Sequence, residues 1–222
     1  MAEQDKLTDL PQDVAAIRTQ IARFFNTPDD QGRKIGSATH GVYVFYDYDA
    51  EPIYVGQTFE KLRARVSRHL TNQRTDAVAM NVLDPFEVAE IEVWPLDDAI
   101  QERPEGTSIK DFLNQAEYTV FQQVLTASTL GAVLNEKEVA PTTLIELPKS
   151  YRQRIIPESV FEHRKHPDIR LARRANTIAN LARVISERNV SKGLRRTLLT
   201  QARRLELLAS MRAEDFGIGE ER

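Results

Sequence analysis

The sequence predicts an α+β fold, a small antiparallel sheet of about three strands flanked by helices, with a helix before it and a helical extension after it. Three patterns carry the prediction. Gly41-Val42-Tyr43-Val44-Phe45-Tyr46 and Ile53-Tyr54-Val55-Gly56 are β-branched and aromatic runs. The polar, turn-forming stretch from Asp47 to Pro52 between them makes the pair a β-hairpin. Phe86 to Trp94 alternates apolar and acidic residues with period two, the mark of a strand with one face buried and one wet. Elsewhere the apolar residues recur at the helical period.

In chain order, Asp13 to Phe25 places Val14, Ile17, Ile21, Phe24 and Phe25 on one side of a short amphipathic helix. Asn26 to Thr39 holds Pro28, Gly32 and Gly36 and reads as a loop into the hairpin. From Glu60 the period changes. Leu62, Val66 and Leu70 recur every four residues with Arg63, Arg65, Arg68 and His69 between them, and Arg65 and His69 share one helical face. Asn72 to Asp76 interrupts that helix, and Ala77 to Leu83 reads as a short helical turn. Pro95 to Gly106 is an acidic loop, after which Thr107 or Ser108 is placed to cap a helix from Ile109 to Leu125. Ala127 to Leu134 is small and apolar and ends at Asn135. Pro141 to Pro148 is extended and bounded by prolines, a linker. The rest reads as helical: a short helix opened by Pro157-Glu158-Ser159, a longer one from Arg170 to Arg188, a break at Asn189 to Ser191, and a last helix capped by Ser191. Three segments result: residues 1–37 as an N-terminal helical segment, 38–142 as the sheet-bearing core, and 143–222 as a helical C-terminal region.

Composition narrows the classes. With 222 residues, 41% hydrophobic and 28% charged, the chain can bury a core. No apolar run approaches bilayer-spanning length, and the acidic start MAEQDKLTDLPQD is unlike a secretory signal. The absence of cysteine removes disulfide scaffolds, Cys zinc sites and Cys nucleophiles. A cytoplasmic protein away from membranes is the expectation. The net charge of −3 hides an asymmetry: residues 151–222 carry 16 Lys and Arg against 9 Asp and Glu, a net of +7, and the first 150 residues carry −10. A basic C-terminal third suits a polyanion, or else a solvated helical arm. Glu162, His163 and His166 lie close in sequence, but their spacing and the Arg and Lys around them favour surface positions over a metal site.

Gly41-Val42-Tyr43, then ten residues, then Tyr54-Val55-Gly56, a helix bearing Arg65 and His69, Glu117 in AEYTVFQQVL, and Asn135 in GAVLNEKEVAP form one ordered set. That set resembles the GIY-YIG nuclease family over roughly residues 38 to 142. Val stands for Ile in both triplets, a volume-similar swap, and the segment between His69 and Glu117 is longer than the family's minimal pattern. The resemblance implies a GIY-YIG-like fold and metal-dependent hydrolysis of DNA phosphodiester bonds. It implies Tyr43 at the nucleophile, Tyr54 and Arg65 on the phosphate, His69 moving a proton, Glu117 on a Mg2+ or Mn2+ ion, and Asn135 completing the catalytic set. The chain shows none of the further large domains that the family's repair subunits carry. The expectation is therefore a sequence-specific type II restriction endonuclease, acting on double-stranded DNA as a homodimer. A homing or structure-selective nuclease, and a non-catalytic DNA-binding protein on the same scaffold, are the alternatives.

The residue types suit that chemistry. An Arg guanidinium is a permanent cation whose fork matches phosphate, Mg2+ takes few carboxylates and keeps several waters, and His titrates near neutrality. A free Tyr has a pKa near ~10 and needs a cation, metal or relay to act as a base, so the identity of the base stays open. Singly, each residue has a plainer reading, because strand tyrosines usually pack and helix arginines usually face solvent. Tyr46, Tyr48, Arg63 and Arg68 lie outside the family positions. Lys61 and Arg63 are expected at flanking phosphates. Arg173, Arg174, Lys192, Arg195 and Arg196 are expected to hold DNA, or alternatively to cover a dimer surface. The break at Asn189 to Ser191 resembles a helix-turn-helix.

Overall fold

The structure is a computed structural model and describes residues 11–70, 82–135 and 137–218. The expected break at Asn72 to Asp76, and all but the last two residues of the expected turn at Ala77 to Leu83, lie outside the described residues.

The hairpin forms as its residues dictate. Strands β1 (Gly41–Tyr46) and β2 (Pro52–Thr58) pair antiparallel, with Tyr43 opposite Gly56, Val44 opposite Val55 and Phe45 opposite Tyr54. The Asp47 carboxylate shapes the turn by accepting from the backbone N–H groups of Asp49 at 2.9 Å and Glu51 at 3.1 Å. Strand β3 (Glu90–Pro95) pairs with the other side of β1. It starts later than the period-two pattern suggests, because Pro85–Glu87 is a 3-10 turn whose Phe86 N–H is taken by the Asp84 side chain. A fourth strand, β4 (Tyr151–Arg154), pairs with β3 and completes the order β2-β1-β3-β4. It lies in the stretch expected to be helical. Four residues are too short to declare a period, and the open edge of β3 supplies their backbone partners.

The helices are α1 (Gln12–Phe25), α2 (Leu62–Leu70), α3 (Asp97–Gln101), α4 (Ile109–Ala127), α5 (Glu158–Lys165), α6 (Pro167–Glu187) and α7 (Lys192–Asp215). Ser108 caps α4 by accepting from the Asp111 N–H, and Ser191 caps α7 by accepting from the Leu194 N–H. The short helix α3 sits in the stretch read as an acidic loop.

Strand β1 is buried along its whole length because helices cover both faces of the sheet. On one face Tyr43, Phe45, Ile91 and Val93 pack with Phe24 and Phe25 of α1, Leu62 and Val66 of α2, and Leu181, Val184 and Leu194 of the C-terminal helices. On the other, Val42, Val44, Val55 and Trp94 pack with Phe112, Leu113, Ala116 and Val120 of α4. The acidic face of β3 is not wet. Glu92 is half-buried and accepts from the Tyr46 hydroxyl and the Ser150 hydroxyl, each at 2.6 Å.

The C-terminal helices are locked to the hairpin by charge as well as by packing. One oxygen of Asp47, 2% exposed, accepts from Arg170 at 3.2 Å, from Arg174 at 3.0 Å and from Arg204. Arg174 also donates to Glu87 at 3.1 Å and to the Arg204 carbonyl at 2.8 Å. Buried charges persist only when paired in this way. Arg174, expected on a DNA-facing surface, is 5% exposed. Part of the basic surplus of the C-terminal third therefore lies inside the protein. The proline-bounded stretch before β4 runs over the core, where the Ile145 N–H donates to the Thr119 hydroxyl at 3.0 Å.

Candidate active site

The site forms at the outer edge of β2. Period-two alternation puts Tyr43 and Tyr54 on one sheet face, with ring centroids 6.1 Å apart and the rings stacked. Helix α2 crosses that face and brings Arg65 and His69 down on it from successive turns. Arg65 donates its Nε–H to the Tyr43 oxygen at 3.3 Å, and the Tyr43 hydroxyl and His69 Nε2 are 3.2 Å apart. The His69 ring leans on both tyrosines, at centroid distances of 5.6 Å and 5.3 Å.

Gly56 is what lets the tyrosines meet. A Cβ at this position would stand 2.6 Å from the Tyr43 oxygen and 2.9 Å from a ring carbon of Tyr54. The glycine is required here by close approach, not by backbone conformation.

Glu117 arrives from the opposite face of the sheet, on α4. The two sets converge on a cleft of about 900 Å3 lined by Tyr54, Gly56, Arg65, His69, Glu117 and Asn135. Tyr43 does not line the cleft. It is fully buried, and its hydroxyl lies directly behind Gly56. Burial pushes the Glu117 carboxyl up to about 7, while donors from the Gln57 side chain and backbone, and the Arg65 cation, pull in the other direction.

Asn135 lines the cleft, but its amide is engaged with the backbone. Its Oδ1 accepts from the Val55 N–H at 3.1 Å and its Nδ2 donates to the Val55 carbonyl at 2.8 Å. One residue earlier, the Leu134 N–H donates to the Ile53 carbonyl at 2.8 Å. The segment after α4 thus pairs with the outer edge of β2 as a partial strand.

The expected DNA contacts are dispersed. Lys61 and Arg63 line a separate groove with Lys34, between α1 and α2. Arg173 lies over the Phe86 ring at 5.2 Å. Lys192 and Arg195 are exposed, and no ion pair to either occurs among the described residues. Arg196 pairs with Glu138 at 3.1 Å, and Glu138 lines the cleft. Gln57 and Asn114 also line the cleft and were not singled out from sequence. The signal for Gln57 was its place directly after the Tyr54-Val55-Gly56 triplet.

Among the described residues, no three His, Asp or Glu side chains cluster as a metal cage. Glu117, in an open cleft with neighbouring amides and room for water, is a donor of the kind that Mg2+ accepts. Residues 39–119 match the family model for the GIY-YIG catalytic domain. No curated protein and no solved structure matches the chain.

Proposed function

We propose, from the match of residues 39–119 to the GIY-YIG catalytic domain, that the chain is a nuclease of that type and a Mg2+-dependent endonuclease of double-stranded DNA. We assign it to the sequence-specific type II restriction class, working as a homodimer so that each protomer cuts one strand. The observation that carries the reading is the convergence of Tyr54, Arg65, His69 and Glu117 on one cleft, with the Tyr43 hydroxyl directly behind Gly56.

Each residue has its own part in the reaction. With neutral His69 accepting at Nε2, the Tyr43 hydroxyl donates to it and Arg65 donates to the Tyr43 oxygen. A water attacking phosphorus passes a proton to the His69–Tyr43 pair through His69, the member of the pair that lines the cleft. The bond from the water oxygen to phosphorus forms as the bond from phosphorus to the leaving sugar oxygen breaks, and the leaving oxygen takes up a proton from solvent in the cleft. The Arg65 cation sits beside the Tyr43 oxygen, and its terminal nitrogens are the donors suited to a non-bridging phosphate oxygen. Glu117 would hold the divalent cation, which would supply charge neutralisation for the phosphate and the leaving oxygen. Asn135 keeps β2, and with it Tyr54 and Gly56, in register. The duplex extends from the cleft past Arg196 on its rim to Arg195 and Lys192.

Incubation with supercoiled plasmid in Mg2+, and in Mg2+ plus excess EDTA, tests the reading. Linear product in Mg2+ alone is the expected result. Intact plasmid in both, with retarded migration of the DNA, supports a non-catalytic DNA-binding protein instead. Sequencing the ends separates one recognition site from structure-selective cutting.

A further inference from the structure

Gln57 follows the Tyr54-Val55-Gly56 triplet on the edge strand, and strand alternation turns its side chain away from Tyr54 toward α4. There Nε2 of Gln57 donates to Asn114 Oδ1 at 2.8 Å. Asn114 lies one helical turn before Glu117 on the same face of α4. The Gln57 amide is thereby held beside the Glu117 carboxyl, and all three residues line the cleft. An amide nitrogen carries two hydrogens: one goes to Asn114, and the other is available to the Glu117 carboxyl, whose acidity a Gln57 donor raises.

The amide oxygen fixes the orientation by its neglect. Gln57 Oε1 is buried and has no hydrogen-bond partner among the described residues. Turning the amide over would aim this acceptor at the Glu117 carboxyl, acceptor against acceptor. The nitrogen side therefore sets the rotamer, at the expense of the oxygen. Buried polar groups are seldom left in this condition, and such an exception calls for a reason beyond packing.

We propose that Gln57 is the positioning residue of the metal carboxylate, donating to Glu117 so that the carboxylate is held with its remaining lone pairs toward the divalent cation. The inference rests on the assignment of Glu117 as metal ligand. In this role Gln57 acts through Glu117 and not on the phosphate itself.

The test is Mn2+ titration of the full chain, with free Mn2+ read by electron paramagnetic resonance, for the wild type, Gln57→Met, Asn114→Ala and Glu117→Gln. Gln57→Met keeps the length of the side chain and removes both N–H groups. It is expected to weaken Mn2+ binding by about 10- to 100-fold, the usual effect of removing an outer-shell partner. Cleavage by this variant should fall at limiting Mn2+ and recover at saturating Mn2+, a rescue that a merely structural defect would not show. Asn114→Ala loosens the same amide from its other side and should weaken Mn2+ in the same direction, by less. Wild-type Mn2+ affinity in folded Gln57→Met overturns the proposal, as does a cleavage defect that saturating Mn2+ does not repair. Should Gln57→Met fail to fold, wild-type Mn2+ affinity in Asn114→Ala overturns it. The Glu117→Gln arm reports separately on the metal site: undiminished Mn2+ binding there removes the ligand assignment, and the inference with it.

Discussion

The Asn135 side chain is a substitute strand residue for Val55, accepting from its N–H at 3.1 Å and donating to its carbonyl at 2.8 Å. An edge strand otherwise leaves such groups unpaired, and Val55 is fully buried. The residue expected among the catalytic groups is thereby tied to the frame that carries them. Asn135→Ala should cost about 1–3 kcal/mol of stability, the usual penalty for orphaning a buried backbone group, and should lower cleavage in step with the displaced strand. Thermal unfolding and plasmid cleavage check this together. A variant with wild-type stability and no activity would instead give Asn135 a direct part in the chemistry.

Gly56 is expected to reject even one methyl group. A Cβ there would meet the buried Tyr43 oxygen at 2.6 Å, so Gly56→Ala should lose activity and about 1–3 kcal/mol of stability, as overpacking commonly does. The double variant Gly56→Ala, Tyr43→Phe removes the nearest clashing atom and leaves the ring carbons of residue 43 and Tyr54, at 2.7 Å and 2.9 Å. It should regain part of the stability and none of the activity, a non-additive pair. Simple addition of the two destabilisations would sink this account of the clash.

Arg65 is half-buried and donates to Tyr43 at 3.3 Å. Its removal takes away both the phosphate ligand and the cation beside the phenol. Cleavage by Arg65→Ala should fall by about 10²–10³-fold, the scale for one transition-state donor, with the fold retained. Single-turnover rates on bound DNA measure this, and a near wild-type rate rules the role out.

Burial raises the Glu117 carboxyl from its ordinary 4.5 to about 7. For an acid whose folded pKa is raised, the protonated form favours the fold. Without metal, this group's contribution to stability is therefore full below 4.5 and declines as pH rises toward about 7. A divalent cation competes with that proton, so Mn2+ affinity should climb about tenfold per pH unit below neutrality and level off above it. Glu117→Gln should abolish the climb and make the metal-free protein more stable than wild type at alkaline pH. Affinity that is flat from weakly acidic to alkaline pH would contradict the assignment.

Two kinds of arginine in the C-terminal helices should answer differently to mutation. Asp47→Asn leaves Arg170, Arg174 and Arg204 without their shared carboxylate and should destabilise the protein by about 3–5 kcal/mol, as breaking buried pairs does. Replacing exposed Arg195 and Arg196 by Ala should leave unfolding unchanged. It should make the salt dependence of DNA binding shallower, by about 0.9 in log–log slope for each phosphate that is no longer neutralised. Removal of everything after Lys149 should unfold the nuclease core, because Leu181, Val184 and Leu194 belong to its packing. A folded, active truncation would show that this packing is dispensable.

The sequence by itself determined what depends on near neighbours. Alternation along the hairpin put Tyr43 and Tyr54 on one face, helical spacing put Arg65 and His69 one turn apart, and Ser108 and Ser191 announced the helices they cap. Each of these follows from a repeat of two or of nearly four residues, or from a side chain bonding three positions on. Only the tertiary structure decided the rest. It brought Glu117 round the edge of β2 to Arg65, placed Tyr43 behind Gly56, and turned Asn135 to Val55, 80 residues away. It also drew four residues beyond Lys149 into the sheet and folded Arg204 onto Asp47, 157 residues distant. Helical spacing sets Arg174 seven residues before Leu181 and Arg204 four before Leu208, on the buried faces, but nothing local says what covers those faces or pairs the charges. Charge belongs to the residue, whereas burial belongs to whatever packs against it, so a count of cations could not tell those that hold the core together from those left to face a phosphate.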